Sequence, residues 1–328
     1  MKVLALLLAV VLSVCAQTIP PTQPSLPPEQ NSAQPRVIEV PLLDCSGLPC
    51  LEMSTASGKT LRLLIDMADA NAYLDIKAAQ ALGANLQGLK TDANADVSQV
   101  QQTVVAGAKI GDLPMGDFPF MVLDTTPQAT QLNEKPAPFP ADGVLTFRSF
   151  QQRVLQIDYA HHLVRLSEPL DTAQPCAQIC TDLVVKHIGG YGPVTLTTSG
   201  FSLNGQPINV QLDTLFTGTM VIYPDSVKKL DLKKLVKAKH KELFPYFQGG
   251  IQLAQTDGVS EGYQSIQFGS DLPVYFFTND DHPSSVSYDA TVGAGLLSRG
   301  TAVFDFKGMK FWLEMAPSGA GVESPVSR

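Results

Sequence analysis

The most regular hydrophobic pattern along the chain occurs twice. Leu61-Arg62-Leu63-Leu64-Ile65-Asp66 and Ile208-Asn209-Val210-Gln211-Leu212-Asp213 are apolar-rich runs that end on aspartate. Their length and alternation predict strands. A turn signal precedes each, Ser57-Gly58-Lys59 in one case and Asn204-Gly205-Gln206 in the other, as a hairpin feeding the strand requires. Each aspartate is followed by a helix-like run, Asp75 to Leu82 and Pro224 to Leu230. Further on, Gly143-Val144-Leu145-Thr146 leads to Val154–Tyr159, and Ala290-Thr291-Val292-Gly293 leads to Ala302–Phe306. The spacings agree. Thr146 follows Asp66 by 80 residues and Gly293 follows Asp213 by 80; Asp158 and Asp305 each follow by 92. Two equal spacings anchored on similar local patterns predict a duplicated domain of about 140 residues.

Composition fits that reading. With 25 Gly and 24 Pro in 328 residues, turns are frequent and long helical patterns few, which favours β architecture. A net charge of −8 excludes an electrostatic nucleic-acid binder. The chain divides into a signal peptide over 1–16, a Pro-rich linker over 17–36, an N-terminal lobe over 37–172, a C-terminal lobe over 173–315 and a small, polar tail over 316–328. The signal reading rests on Lys2, the apolar run Val3 to Val14 and the small residues before Gln17, and it predicts export to a periplasm or to the medium. Leu12-Ser13-Val14-Cys15 also resembles a lipoprotein signal, so a membrane tether through lipidated Cys15 is the alternative. Past the signal, four cysteines remain in two close pairs. An even number in an exported chain predicts disulfides, and Cys45–Cys50 with Cys176–Cys180 is the simplest of three connectivities.

The doubled strand-to-aspartate pattern resembles the pepsin and retropepsin aspartic proteases. In that family each lobe carries a strand ending in Asp-Thr-Gly, with an apolar pair and a Gly much later in the lobe. Ile65-Asp66-Met67-Ala68 and Leu212-Asp213-Thr214-Leu215 fall on the first motif, and Val144-Leu145-Thr146 and Thr291-Val292-Gly293 on the second. The resemblance implies an all-β fold of two closed, barrel-like lobes meeting at a cleft, with Asp66 and Asp213 as the catalytic pair. Thr214, Gly293 and Thr146 take supporting places. It further implies a monomeric peptidase acting on peptide or unfolded protein, without a metal or other cofactor. Two adjacent carboxylates cannot both ionise cheaply, so they share a proton and can act together as acid and base.

The departures are Met67 for Thr, Ala68 and Leu215 for Gly, and Thr146 for the later Gly. Met67 lacks the hydroxyl that would bind the opposite lobe, and a Leu side chain needs space that a Gly site lacks. A relative that binds peptide or a protein partner without cleaving it is therefore the alternative. Ser57-Gly58-Lys59-Thr60 resembles a phosphate-binding loop, but Met53 stands where its first Gly belongs and a strand follows. No Gly-x-Ser-x-Gly elbow occurs, and no histidine pair has metal-ligand spacing. The lysine-rich run 228–241 predicts a solvated amphipathic helix, Ala93 to Val105 a loop or weak hairpin, and Trp312 a packing residue on an alternating strand.

Overall fold

A computed structural model describes residues 35–84, 101–125, 139–171, 180–187, 194–234, 240–244, 251–256, 259–264, 266–269, 272–277 and 287–315. The first half contains β1 (Val37–Pro41), β2 (Leu43–Cys45), β3 (Leu48–Ser54), β4 (Thr60–Asp66), β5 (Tyr73–Asp75), α1 (Ile76–Ala81), β6 (Gln102–Ile110), β7 (Leu113–Leu123), β8 (Gly143–Thr146), β9 (Val154–Asp158) and β10 (Leu163–Ser167). The second contains β11 (Thr181–His187), β12 (Val194–Leu203), β13 (Gln206–Asp213), β14 (Met220–Ile222), α2 (Pro224–Lys229), β15 (Lys241–Phe244), β16 (Ile251–Thr256), β17 (Glu261–Tyr263), β18 (Ile266–Gly269), β19 (Val274–Phe276), β20 (Ala290–Gly293), α3 (Ala294–Leu297), β21 (Gly300–Asp305) and β22 (Lys310–Met315). The fold is all-β, as the sequence predicts. In the first half the order β3-β4-β8-β5-β7-β6 closes on itself through a β3–β6 pair, giving a six-stranded barrel. The second half repeats the order β12-β13-β20-β14-β19-β16 and continues to β15.

The two aspartate strands are built alike. In β4 and β13 burial alternates near the start, and the last four residues of each are all buried. This is the pattern of a strand that enters with one wet face and ends covered on both. Each then pairs in parallel with the strand that closes its motif, Asp66 opposite Thr146 and Asp213 opposite Gly293. Asp213 lies 147 residues after Asp66, and Gly293 lies 147 after Thr146. The same offset relates the central strands: in the antiparallel β9–β21 pair, Gln156 stands opposite Val303. Residues related by the repeat thus face each other there, which places a local two-fold axis between them. The sheet β1-β10-β9-β21-β22-β11 spans that axis and joins the halves. Leu155, Ile157, Ala302 and Phe304 on its two central strands are fully buried in one apolar core drawn from both halves.

The helix signals hold in part. Asp75 caps α1 by accepting the Lys77 amide hydrogen at 2.8 Å, and Pro224 opens α2 at a position where its missing N–H is harmless. The amphipathic helix expected over 228–241 does not form as one element. α2 ends at Lys229, Asp231 takes a left-handed backbone (φ 51°) and the chain turns away. A left-handed residue cannot continue a right-handed helix, and strand pairing of Lys241–Phe244 with β16 takes over beyond; residues 235–239 lie outside the described set. Val104 and Val105 lie in the β6–β7 hairpin, with 93–100 outside the described residues. Trp312 is buried in β22. The Cys45–Cys50 bridge forms. Cys180 is also disulfide-bonded, and Cys176, its expected partner, is outside the described residues.

Glu261 on β17 is fully buried. Among the described residues neither of its carboxyl oxygens has a hydrogen-bond partner, and the Thr219 hydroxyl donates to the Pro273 carbonyl. Burial pushes the carboxyl up to about 8, with the nearby Thr219 and Arg299 opposing. The folded state then holds a proton that the unfolded chain releases near 4.5. Its stabilising contribution is full below that pH and is lost as pH rises towards 8. The urea midpoints of the native chain and a Glu261→Gln variant should therefore stay parallel below pH 4.5. Between pH 4.5 and 8 the native chain should lose ground to the variant. A difference that does not change with pH would contradict this.

Candidate active site

The two aspartates sit on matching loops and are bound in matching ways. Both are buried, at 8% and 7% exposure. Asp66 Oδ1 accepts the Ala68 amide hydrogen at 2.7 Å, and the Asp69 amide also holds its pKa down. Asp213 Oδ1 accepts the Leu215 amide at 2.8 Å and the Phe216 amide at 3.1 Å. The second and third amides after each aspartate thus orient its carboxyl. Ala68 and Leu215, where the resembled motif has Gly, keep these amide donors in place. Nor does either position need glycine for its backbone, since Ala68 and Leu215 both lie outside the left-handed region.

Gly293 differs. A Cβ there would collide with the Phe216 and Gly218 carbonyl oxygens, so the Asp213 loop lies against bare backbone. Its partner place in the first half holds Thr146, fully buried, whose amide donates to Ser149 Oγ at 3.0 Å.

Hydrogen bonds tie the loops to each other. Thr214 Oγ1 accepts the Met67 amide at 3.2 Å and donates to the Ile65 carbonyl. Met67 has no hydroxyl to return the bond, so this link runs one way. A second link crosses in its stead: Thr195 Oγ1 donates to the Ala68 carbonyl at 2.7 Å. Leu215 makes a third, apolar link. It packs in one cluster with Leu48, Leu64, Val144 and the Cys45–Cys50 bridge of the first half. The space that a Leu needs at a Gly place is supplied by the opposite half.

Burial pushes both carboxyls up, Asp213 to about 6 and Asp66 further, with the Asp213 charge adding to the rise at Asp66. A third acid, Asp69, contributes to both. Its Oδ1 accepts the Ala70 amide at 2.5 Å and the Asn71 amide at 3.2 Å. Burial raises Asp69 as well, with Arg148 opposing. Tyr73 on β5 feels the same fields: burial, then Asp66 and Asp69, push its phenol up. Asp69, Tyr73 and Thr195 were not marked by the sequence pattern. Asp69 stands three residues past Asp66, where it passes for an ordinary turn former. Thr195 lies 127 residues from Ala68, and no local spacing announces it. The described residues contain no cluster of three or more candidate metal ligands.

No family model and no curated protein matches this chain. Among solved structures it is similar to an aspartic proteinase from Irpex lacteus, at 10% identity over 87% of this chain and 99% of that one, with a TM-score of 0.49. It is also similar to a retropepsin-like aspartic protease from Rickettsia conorii, at 16% identity over 40% of this chain and 93% of that one, with a TM-score of 0.29. What this chain's site can do follows from its own residues. Two buried carboxyls that are oriented by amides and coupled through charge can, within reach of one water, take a proton at one and give a proton at the other.

Truncating Leu215 to Ala should leave a cavity against the Cys45–Cys50 cluster and cost about 2–4 kcal/mol, read as a lower urea midpoint. A midpoint unchanged from the native protein would mean that Leu215 does not join the halves.

Proposed function

We propose that this chain is an exported aspartic-type endopeptidase that hydrolyses peptide bonds in extended peptides, with Asp66 and Asp213 as its acid–base pair. The observation that carries the reading is the equivalence of the two carboxyls: each ends a buried strand, each accepts the second amide beyond it, and burial pushes both up, with the Asp213 charge adding to the rise at Asp66. In the singly protonated pair, the ionised carboxylate removes a proton from a water. That water's oxygen attacks the peptide carbonyl carbon, while the protonated partner gives its proton to the carbonyl oxygen. The tetrahedral intermediate then collapses, the C–N bond breaks and the amine leaves with a proton returned through the pair. The chemistry needs no covalent enzyme intermediate. Met67, Ala68 and Leu215 are compatible with it, because the amide donors remain and Leu215 is housed in the opposite half. The Cys45–Cys50 bridge and the N-terminal signal pattern support export.

The working state lies between the two ionisations of the pair. Below about 6, the value towards which burial lifts Asp213, both carboxyls are protonated and no base remains. Above the second ionisation no acid remains. Cleavage of an unfolded peptide should trace a bell in kcat/KM whose acid limb bends near pH 6, and a rate still climbing below pH 4 would contradict the site electrostatics. Asp213→Asn and Asp66→Asn should each lower kcat/KM by at least about 100-fold, and a statine-type transition-state mimic should block the native protein. Turnover unchanged in either variant would overturn the assignment; peptide binding without turnover at every pH would point to the non-cleaving relative.

A further inference from the structure

The loop of Asp66 is held by a buried chain of side chains that all donate in one direction. The Tyr223 hydroxyl lies 3.1 Å from Thr291 Oγ1, and Thr291 Oγ1 donates to Gln211 Oε1 at 2.8 Å. Gln211 Nε2 donates to Thr195 Oγ1 at 2.7 Å, and Thr195 Oγ1 donates to the Ala68 carbonyl at 2.7 Å. With Thr291 donating to Gln211, the Tyr223 proton points to Thr291. Every member is at least nine-tenths buried. The chain ends on the carbonyl of Ala68, whose own amide donates to Asp66 Oδ1 at 2.7 Å, and the N–H on the far side of that peptide, at Asp69, also favours the Asp66 carboxylate.

The repeat shows that such a chain is not required by the fold. Subtracting 147 from Thr195, Gln211 and Thr291 gives Leu48, Leu64 and Val144. The strand registers agree, since Thr197 faces Gln211 as Cys50 faces Leu64. These three are the apolar residues that receive Leu215, and Leu215 is the repeat mate of Ala68. The same location is therefore polar where it meets the Asp66 loop and apolar where it meets the Asp213 loop. The polar version costs burial of several hydrogen-bonding groups, each of which has to be satisfied.

We propose that Thr195, with Gln211 and Thr291 behind it, is a positioning residue for Asp66: by donating to the Ala68 carbonyl it polarises the Ala68–Asp69 peptide and strengthens the N–H bond to the Asp66 carboxylate, making the two acids of the pair unequal. Hydrogen bonds in series reinforce one another, and a stronger donor favours the ionised form. This deepens the proposed peptidase site and rests on Asp66 being its acid–base group, but its test needs no turnover. The titratable groups that act on Asp66 are Asp213 from the opposite loop, Asp69 on its own loop and Tyr73 on β5, and Arg148 acts on Asp69.

The experiment is a carboxyl ¹³C NMR titration of Asp66 in an Asp213→Asn background, where Asp66 no longer shares a proton and Asp69, Tyr73 and Arg148 are unchanged. Thr195→Val, which keeps the shape and removes the hydroxyl, should move the Asp66 titration upward by on the order of 0.5 pH unit. Thr195→Ser should restore it. Thr291→Val, two links earlier, should move it in the same direction by less, and it reads the chain independently should Thr195→Val fail to fold. A folded Thr195→Val or Thr291→Val protein in which Asp66 titrates as in the background would overturn the proposal. Absence of peptidase activity in the native chain alongside the predicted shift would instead overturn the functional reading and leave the positioning role standing.

Discussion

Two carboxyl groups brought together away from water repel each other whenever both are charged, and the scaffold is arranged around that cost. Desolvation is the largest cause of the upward shift at Asp66, at Asp213 and at Asp69. An isolated pair would relieve the repulsion by separating. Here separation is opposed at three levels. Amides of each loop hold its own carboxyl, three hydrogen bonds and one apolar contact cross between the halves at the loops, and the six-stranded sheet about the Gln156–Val303 axis fixes the halves. The pair can then lower its energy only by keeping a proton, which is the state acid–base chemistry uses.

A duplicated fold supplies equal places, and the chain fills them unequally. Thr214 bonds both Met67 and Ile65, while Met67 can return nothing. Ala68 is met by Thr195, and its mate Leu215 by Leu48. One loop is thus anchored by hydrogen bonds and the other by apolar burial. The amide donors to the carboxyls belong to the backbone and survive any non-proline substitution. Glu261 carries the same preference for protonation into the body of the second half.

The duplication was legible in the sequence because it is written in strand periodicity and in equal spacing, and both survive the substitution of individual side chains. β4, β13, β8 and β20 lie where the apolar runs place them, with Asp66 and Asp213 at matching ends. What was not legible depends on contacts between residues far apart. Leu215 reads as an obstruction until its neighbours from positions 45–64 and 144 are known. Thr195 and Gln211 read as ordinary polar residues of strands until the Ala68 carbonyl is seen against them. The lysine run was misread because its period fits a helix, whereas the left-handed turn at Asp231 and the pairing of β15 decide the outcome. Local pattern defines the frame; the polarity of the second layer is set by the partner across the axis.

The claim on which the rest turns is that Asp66 and Asp213 act as one proton-sharing unit. A neutron diffraction structure of the deuterium-exchanged protein, at a pH just above the first ionisation of the pair, reads this directly. Two carboxyls about 3 Å apart, or joined through one water, with one deuteron between them, are the expected result. Two carboxylates that are both bare, or that lie beyond the reach of a single bridging water, would contradict it.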